Sequence, residues 1–225
     1  MVMFLEELNG RGLYLVSDSL VEVIGVYTGD FFRTSAELPF VEARYRESHR
    51  YYHTEAHVID MLRVLTPALA SIHDTARKIR LVRAVIYHDV YYAPGFPLNE
   101  RYSANLARRN APASMRYDDD ALNTVDALIM VTKDHHLPKR KDIRDDAALI
   151  IDADLSRIGG PHEEFVDDSR LIGLEFWGLV TPVEYRKGRS EWAKTFLKEH
   201  PKIFRSDSFS HLEDRARENL ESLIM

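Results

Sequence analysis

The sequence predicts an all-α protein of about nine or ten helices. Apolar residues recur at intervals of three and four along nearly the whole chain, the spacing that places them on one face of a helix. No internal repeat, low-complexity run or flexible linker divides the 225 residues, and one domain accommodates that length. We therefore expect a single domain over residues 1–225. Strands are expected only in the first few residues and in Leu13–Val16.

Five helical segments are predicted in the first half of the chain. Ser19-Leu20-Val21-Glu22 fits a capping box and begins the first of them. The run Pro94-Gly95-Phe96-Pro97 interrupts the helical pattern and separates the last two. The five are expected from Ser19 to about Phe32, between Pro39 and Arg50, from His57 to about Leu69, around Ile79 to Asp89, and from Asn99 or Ser103 onwards.

Five further apolar or amphipathic segments follow in the second half. A basic loop, Lys139-Arg140-Lys141, separates the first two, and Gly159-Gly160-Pro161 ends the second. The five are expected from about Asp120 to Lys133, over the short run Ala147–Leu155, around Glu163–Val180, around Pro182–His200, and from Leu212 to the C-terminus.

Composition narrows the chemistry that the chain can perform. It contains no cysteine, which excludes disulfides, thiolate metal sites and cysteine nucleophiles and leaves His, Asp and Glu as metal ligands. A formal net charge of −6 argues against dedicated nucleic-acid binding. No run approaches the roughly 20 apolar residues of a membrane span, and the N-terminal segment is unlike a signal peptide. A cytoplasmic protein without a membrane partner is therefore expected.

Two histidines one helical turn apart are the first candidate site residues. His53 and His57 lie four positions apart, so both occupy one face if the segment is helical. Thr54 could instead be the N-cap, which would leave His53 just outside the helix and close to His57. For His53 a surface position in an aromatic loop stays open.

His88-Asp89 is the second candidate, because it follows the apolar segment 81–87. A carboxylate at that depth needs a partner, and a metal ion supplies one while the adjacent histidine adds a ligand. A hydrogen bond from Tyr91 or Tyr92 is the alternative for Asp89, although an acid near a helix C-terminus opposes the helix dipole. The similar pair His73-Asp74 precedes a helix, where capping explains the acid.

A third candidate follows the run 149–151, where Asp152 and Asp154 flank one alanine. Two positions apart on a helix, they point in nearly opposite directions, so only one is expected to bind an ion. Asp154 is preferred, with Asp152 as a capping acid or an outer partner. His135 and His136 either contribute a ligand or a substrate contact, or are exposed. The remaining histidines expected at the surface are His49, His162, His200 and His211.

The order His, His-Asp, Asp is that of a divalent-metal site, and it favours a hydrolase that uses metal-activated water. The segments around it are Arg50–His57, Tyr87–Tyr92, Asn99–Ala104, Thr132–His135, Asp152–Gly159, Gly188-Arg189 and Ala216–Leu220. With these segments the chain resembles the HD superfamily of metal-dependent phosphohydrolases. Within it, the chain is similar to the branch of small bacterial proteins described as predicted metal-dependent HD phosphohydrolases, and more distantly to the cyclic-nucleotide phosphodiesterases.

The resemblance implies an HD-type helical bundle, with the motifs in about residues 45–160 and further helices in 161–225. It also favours Asp154 over Asp152 and implies that His53 is the proton donor. The implied metal ligands are His57, His88, Asp89 and Asp154. One or two divalent ions are expected, Asp89 could bridge a second ion, and the ligand types suit Mn, Mg, Fe, Co, Ni or Zn alike.

A small phosphorylated molecule, such as a nucleotide, is the expected substrate. Glu100 could orient the attacking water, and the residues expected to bind substrate are Arg50, Lys133, His135 and Arg189. The oligomeric state stays open, although exposed aromatic residues such as Phe176, Trp177 or Tyr185 could form the interface of a homodimer. Two other functions stay open. One is a non-catalytic module that binds a metal or nucleotide, and the other is a di-iron oxygenase that would need His135 or His136.

Overall fold

The computed structural model of the chain describes residues 20–28, 37–113, 115 and 118–224. These ranges contain eleven α-helices and no strand, only an isolated bridge between Trp177 and Val180, so the all-α prediction is confirmed. The helices are α1 (Leu20–Thr28), α2 (Glu37–Tyr45), α3 (Glu55–Val64), α4 (Thr66–Ser71), α5 (Thr75–Tyr87), α6 (Asn99–Arg109), α7 (Asp119–Met130), α8 (Arg144–Leu155), α9 (His162–Glu175), α10 (Pro182–Glu199) and α11 (Glu213–Ser222).

Three short 3-10 helices complete the description, at Lys141–Ile143, Ser156–Gly159 and Asp207–Leu212. The strand candidates before Val16, the proposed cap Ser19 and the end of the first helix near Phe32 lie outside the described residues. None of the described helices is both long and apolar enough to cross a membrane.

The segment expected as one helix from His57 to Leu69 is two helices in the structure. Leu65 ends α3 and begins α4, whose second residue is Pro67. Proline lacks the N–H that a helix interior requires but is tolerated in the first turn, so a new helix begins there. Thr54 is the N-cap of α3, which places His53 just outside the helix.

Buried apolar residues from α1 to α11 form one cluster around the central helix α5. Within that core, Arg83 of α5 is fully buried and donates hydrogen bonds to the Glu37 carboxylate of α2 and to the Ala107 carbonyl of α6. Burial raises the pKa of Glu37, and the Arg83 charge opposes that rise. Arg83 therefore joins both α2 and α6 to α5, and the ion pair with Glu37 stabilises this packing only while both charged residues are present.

We expect Arg83→Met to destabilise the protein by about 3–5 kcal/mol, because it leaves the Glu37 carboxylate buried without its cation. Urea unfolding of the two proteins measures the difference in free energy. Arg80→Met is the control on the same helix, since Arg80 is partly exposed and its nearest carboxylate, on Asp74, is 3.9 Å away. A change of less than about 1 kcal/mol for Arg83→Met would show that the pair is replaceable.

The C-terminal segment packs directly behind the end of α8. Both Asp152 oxygens accept hydrogen bonds from the backbone N–H groups of Arg205 and Ser206, at 2.6 and 2.7 Å. The amide of Asn219 on α11 donates to the carbonyls of Ile158 and Gly160. A Cβ at Gly159 would lie 2.6 Å from the Leu212 Cβ, so only glycine permits this approach. These contacts hold the last turn of α8, which carries Asp154.

Candidate metal centre

Three side chains from separate helices converge between α3, α5 and α8. His57 lies in the first turn of α3, His88 caps the C-terminus of α5, and Asp154 lies at the end of α8. One potential ligand atom from each lies within 4.8 Å of the others. Asp154 Oδ1 is 3.1 Å from His57 Nε2 and 3.8 Å from His88 Nε2. The two histidines are buried and the carboxylate is half-buried.

The orientation of the His88 ring is set by the backbone of its own helix. Its Nδ1 lies 2.7 Å from the carbonyl oxygen of Val85, and a carbonyl only accepts, so the proton is on Nδ1. The other nitrogen, Nε2, is buried without a hydrogen-bond partner and faces carboxylates. Burial lowers the pKa of His88, but the Asp89 and Asp154 carboxylates outweigh that effect and raise it to about 9. A divalent ion would replace the proton on Nε2, and an Nδ1–H fixed by a carbonyl is the arrangement that metal-binding histidines adopt. The donor set therefore fits a divalent cation.

Asp89 lies beside this group. Its Oδ2 is 3.2 Å from His88 Nε2 and 3.8 Å from His53 Nε2. Burial raises the pKa of Asp89, but the neighbouring His88 outweighs that effect and lowers it overall. Of the alternative partners of Asp89, the Tyr92 hydroxyl donates to Glu175 instead.

The two aspartates of α8 have different surroundings. Asp152 is fully buried on the side of the C-terminal segment, where its carboxylate accepts backbone hydrogen bonds. Asp154 faces the histidines. Burial raises its pKa, but the hydrogen bonds from His135 and His57 outweigh that effect, so the pKa is lowered overall. The two aspartate side chains therefore point in opposite directions, as helical spacing predicts, and Asp154 is the acid at the centre.

His53 is held by a carboxylate that the sequence analysis missed. Its Nδ1 is 2.6 Å from Oε2 of Glu175, the last residue of α9. The other oxygen, Oε1, accepts hydrogen bonds from the backbone N–H groups of Tyr51, Tyr52 and His53 at 2.8–2.9 Å. Burial lowers the pKa of His53, but Glu175 outweighs it, so that the pKa is raised overall. The imidazole is thus fixed with Nε2 towards Asp89.

His135 and His136 have separate positions. His135 Nε2 is 3.1 Å from Asp154 Oδ2, and its backbone has a φ of 52°, a left-handed conformation uncommon for a side chain of this size. His136 instead lies beside His200, with ring centroids 4.6 Å apart. His200 was predicted at the surface, and this was wrong: it is buried, its Nδ1 lies 2.6 Å from Arg205, and it has a backbone hydrogen bond with Asp134. His136, Glu199 and His200 form a second group whose potential ligand atoms lie within 4.8 Å of one another.

A cavity of about 260 Å³ opens onto this centre. Asp154, Asp89, His53 and His135 line one part of it, and Glu100, Lys133 and Arg189 also contribute to its wall. Lys133 is exposed, whereas Glu100 and Arg189 are half-buried, and burial raises the pKa of Glu100. The rest of the wall is largely aromatic and apolar, with Tyr52, Tyr92, Ile158, Phe165, Ile172 and Trp192.

Arg50 has a structural position rather than the predicted place in the substrate cavity. Its side chain is fully buried and donates hydrogen bonds to the carbonyls of His53, Asp89 and Val90 at 2.7–3.1 Å. The guanidinium therefore joins the loop before α3 to the loop after α5, and it does not line the cavity. The sequence analysis placed Arg50 with the substrate-binding residues because it is a basic residue next to the site, and such a residue also suits a cross-link between loops.

A scan against models of known protein families gives no match, and a search of curated proteins gives none either. The fold and the site thus define the class. The chain is an all-α protein in which a buried His57, His88 and Asp154 group has the geometry to hold a metal ion.

Proposed function

We propose that the protein is a metal-dependent phosphohydrolase of the HD type, which cleaves a small phosphorylated substrate. The observation that carries this proposal is His88 Nε2, buried without a hydrogen-bond partner and facing the Asp89 and Asp154 carboxylates at a cavity wall. The order and spacing of the residues at this centre are those for which the chain resembles the HD superfamily. Mn, Mg, Fe, Co, Ni and Zn all accept these ligand types.

His57, His88, Asp89 and Asp154 would hold the ion. A divalent ion held there would lower the pKa of a bound water towards roughly 7 and would withdraw charge from a phosphoryl oxygen. Asp89 and Asp154 are both ionised in the folded protein, because neighbouring histidines lower their pKa values. They therefore carry the negative charge that retains a cation.

His53 would donate the proton to the leaving oxygen. Glu175 holds its Nδ1, which leaves Nε2 directed to the cavity beside Asp89. The raised pKa of His53 favours the imidazolium, the form that can donate. Glu100 and His135 would position water or substrate from the same wall. Lys133 at the rim and Arg189 deeper in the cavity supply positive charge for an anionic substrate.

The test is a panel of phosphate monoesters and diesters assayed with Mn, Mg, Fe, Co, Ni and Zn in parallel. We expect metal-stripped protein to be inactive and a divalent ion to restore release of phosphate. Elemental analysis of the purified protein provides the matching readout. Protein that holds no metal and does not respond to any added ion would contradict the proposal. Tight binding of a nucleotide without turnover would instead support a non-catalytic module.

His135 favours one further candidate, a di-iron oxygenase. Asp154 lies between His57, 3.1 Å from one oxygen, and His135, 3.1 Å from the other, so its carboxylate could bridge two ions. An iron content of about two ions per chain with oxygen consumption would favour this alternative. The homodimer stays a prediction, with Trp177 exposed and Phe176 and Tyr185 half-buried.

A further inference from the structure

Two buried polar atoms without partners belong to cavity-wall side chains that are not candidate metal ligands. They are Nε of Arg189, on α10, and Oγ of Ser169, on α9. Both side chains line the cavity at the metal centre and also an adjoining cavity of about 580 Å³. A buried donor without an acceptor is unfavourable, and two donors at one junction are typical of a position where a ligand supplies the acceptor.

The positive charge of Arg189 has no carboxylate partner within 4.0 Å in the described part of the chain. Its guanidinium instead lies over the ring of Trp192, 4.3 Å from the centroid. Arg157 lines the same cavity, but it is paired with Asp168 at 2.7 Å and with Asp60 at 3.3 Å. The fold thus neutralises one cavity arginine and leaves the charge of the other available.

None of the candidate metal ligands lines the adjoining cavity, whereas Arg189 and Ser169 line both cavities. Burial lowers the pKa of Arg189, and a bound anion would oppose that effect. An anion in the adjoining cavity would therefore meet Arg189 and Ser169 without meeting His57, His88 or Asp154.

We propose that the substrate carries a second anionic group, which is not transferred and which Arg189 and Ser169 bind where the two cavities meet. This inference rests on the proposed function. The substrate class is a phosphate monoester whose other end bears a carboxylate or a second phosphate. Either group can accept hydrogen bonds from the N–H of Arg189 and the O–H of Ser169. The Arg189 charge would replace the counter-ion that such a group has in water.

Matched substrates test the inference with metal-loaded protein. Glycerol 2-phosphate and glycerate 2-phosphate differ in one carboxylate, and 3-hydroxypropyl phosphate and propane-1,3-diol bisphosphate differ in one phosphate. We expect the substrates with the second anion to have the lower KM. Arg189→Met should raise that KM about 10- to 100-fold and should raise the KM of the singly anionic partners much less. The pair with the larger effect identifies the second group as carboxylate or phosphate.

Ser169→Ala should act in the same direction with a smaller effect, and Arg189→Lys should restore part of the affinity. Lys187→Met is the matched control, because Lys187 is exposed on the same helix and does not line the two cavities. An equal fall in kcat for all four substrates in Arg189→Met would overturn the inference, since Arg189 would then act on the transferred phosphoryl group.

A binding experiment separates this inference from the proposed function. If wild-type protein hydrolyses none of the four substrates, the proposed hydrolysis fails, and calorimetric titration of the metal-loaded protein with propane-1,3-diol bisphosphate then tests the subsite alone. Binding that is weakened about tenfold or more by Arg189→Met supports the subsite. Equal binding to wild type and Arg189→Met, or none to either, overturns it.

Discussion

Asp154→Asn is expected to abolish metal binding and, with it, any metal-dependent activity. Asp154 is the acid whose oxygens face His57, His88 and His135 at 3.1, 3.8 and 3.1 Å. Asparagine preserves the volume but removes the negative charge and directs an amide donor or a neutral oxygen at the ion. Loss of an outer partner alone costs about 10- to 100-fold in metal affinity, so loss of this ligand should cost at least about 100-fold.

Asp152→Asn is the matched control on the same helix. Asp152 accepts hydrogen bonds from the Arg205 and Ser206 backbone and does not face the histidines, so this variant should retain its metal. It should instead lose about 1–3 kcal/mol of stability, because the side-chain NH2 of asparagine cannot accept the hydrogen bond of a backbone N–H. Elemental analysis, calorimetric titration with Mn or Zn, and urea unfolding measure these effects. Normal metal content in Asp154→Asn, or loss of metal in Asp152→Asn, would contradict the assignment.

The sequence was sufficient to predict the helical architecture because periodicity is a local signal. It failed where tertiary packing decides the outcome. Pro67 divides a segment that apolar spacing alone makes continuous. His200 follows a charged stretch and was expected in solvent, but the end of α10 packs it against Arg205 and His136.

The candidate metal-binding group was predictable because each member is a polar residue in a segment that has no structural need of it. His88 follows a buried apolar run, and Asp154 lies on the opposite side of its helix from Asp152, so local geometry already separates their roles. Arg50 shows the limit of this reasoning. The sequence shows that Arg50 lies close to His53. Only the folded structure shows that three carbonyls accept hydrogen bonds from its guanidinium.

Glu175 was missed because α9 contains several acidic residues, and such a helix is usually a solvated surface. One signal distinguished it. Glu175 is the last residue of α9, where a carboxylate opposes the helix dipole, and the same argument had identified Asp89. In the structure the backbone N–H groups of Tyr51, Tyr52 and His53 and the His53 ring compensate that charge.

Glu175→Gln is expected to reduce turnover strongly while the metal stays bound. Glutamine retains an oxygen for the backbone N–H groups but removes the charge beside His53 Nδ1. The pKa of His53 should then fall, because burial lowers it and the opposing Glu175 charge is gone. At neutral pH less of the imidazolium would be present to donate a proton. General-acid catalysis typically contributes about 10²- to 10⁴-fold, and the loss in kcat should lie within this range.

The dependence on the leaving group distinguishes this role from a structural one. Phenyl phosphate needs a proton on its leaving oxygen, whereas p-nitrophenyl phosphate releases a stabilised anion. Glu175→Gln should therefore reduce kcat much more for phenyl phosphate than for p-nitrophenyl phosphate. Glu163→Gln is the control, because Glu163 is exposed in the first turn of the same helix.

His53→Gln provides the remaining comparison. If Glu175 acts only through the His53 ring, the double variant should be no slower than His53→Gln alone, since residues that act as a unit are not additive. Equal losses for both leaving groups in Glu175→Gln, or a reduced metal content, would indicate that Glu175 supports only the fold of the loop before α3. A selective loss with full metal content would instead establish it as the residue that positions the proton donor.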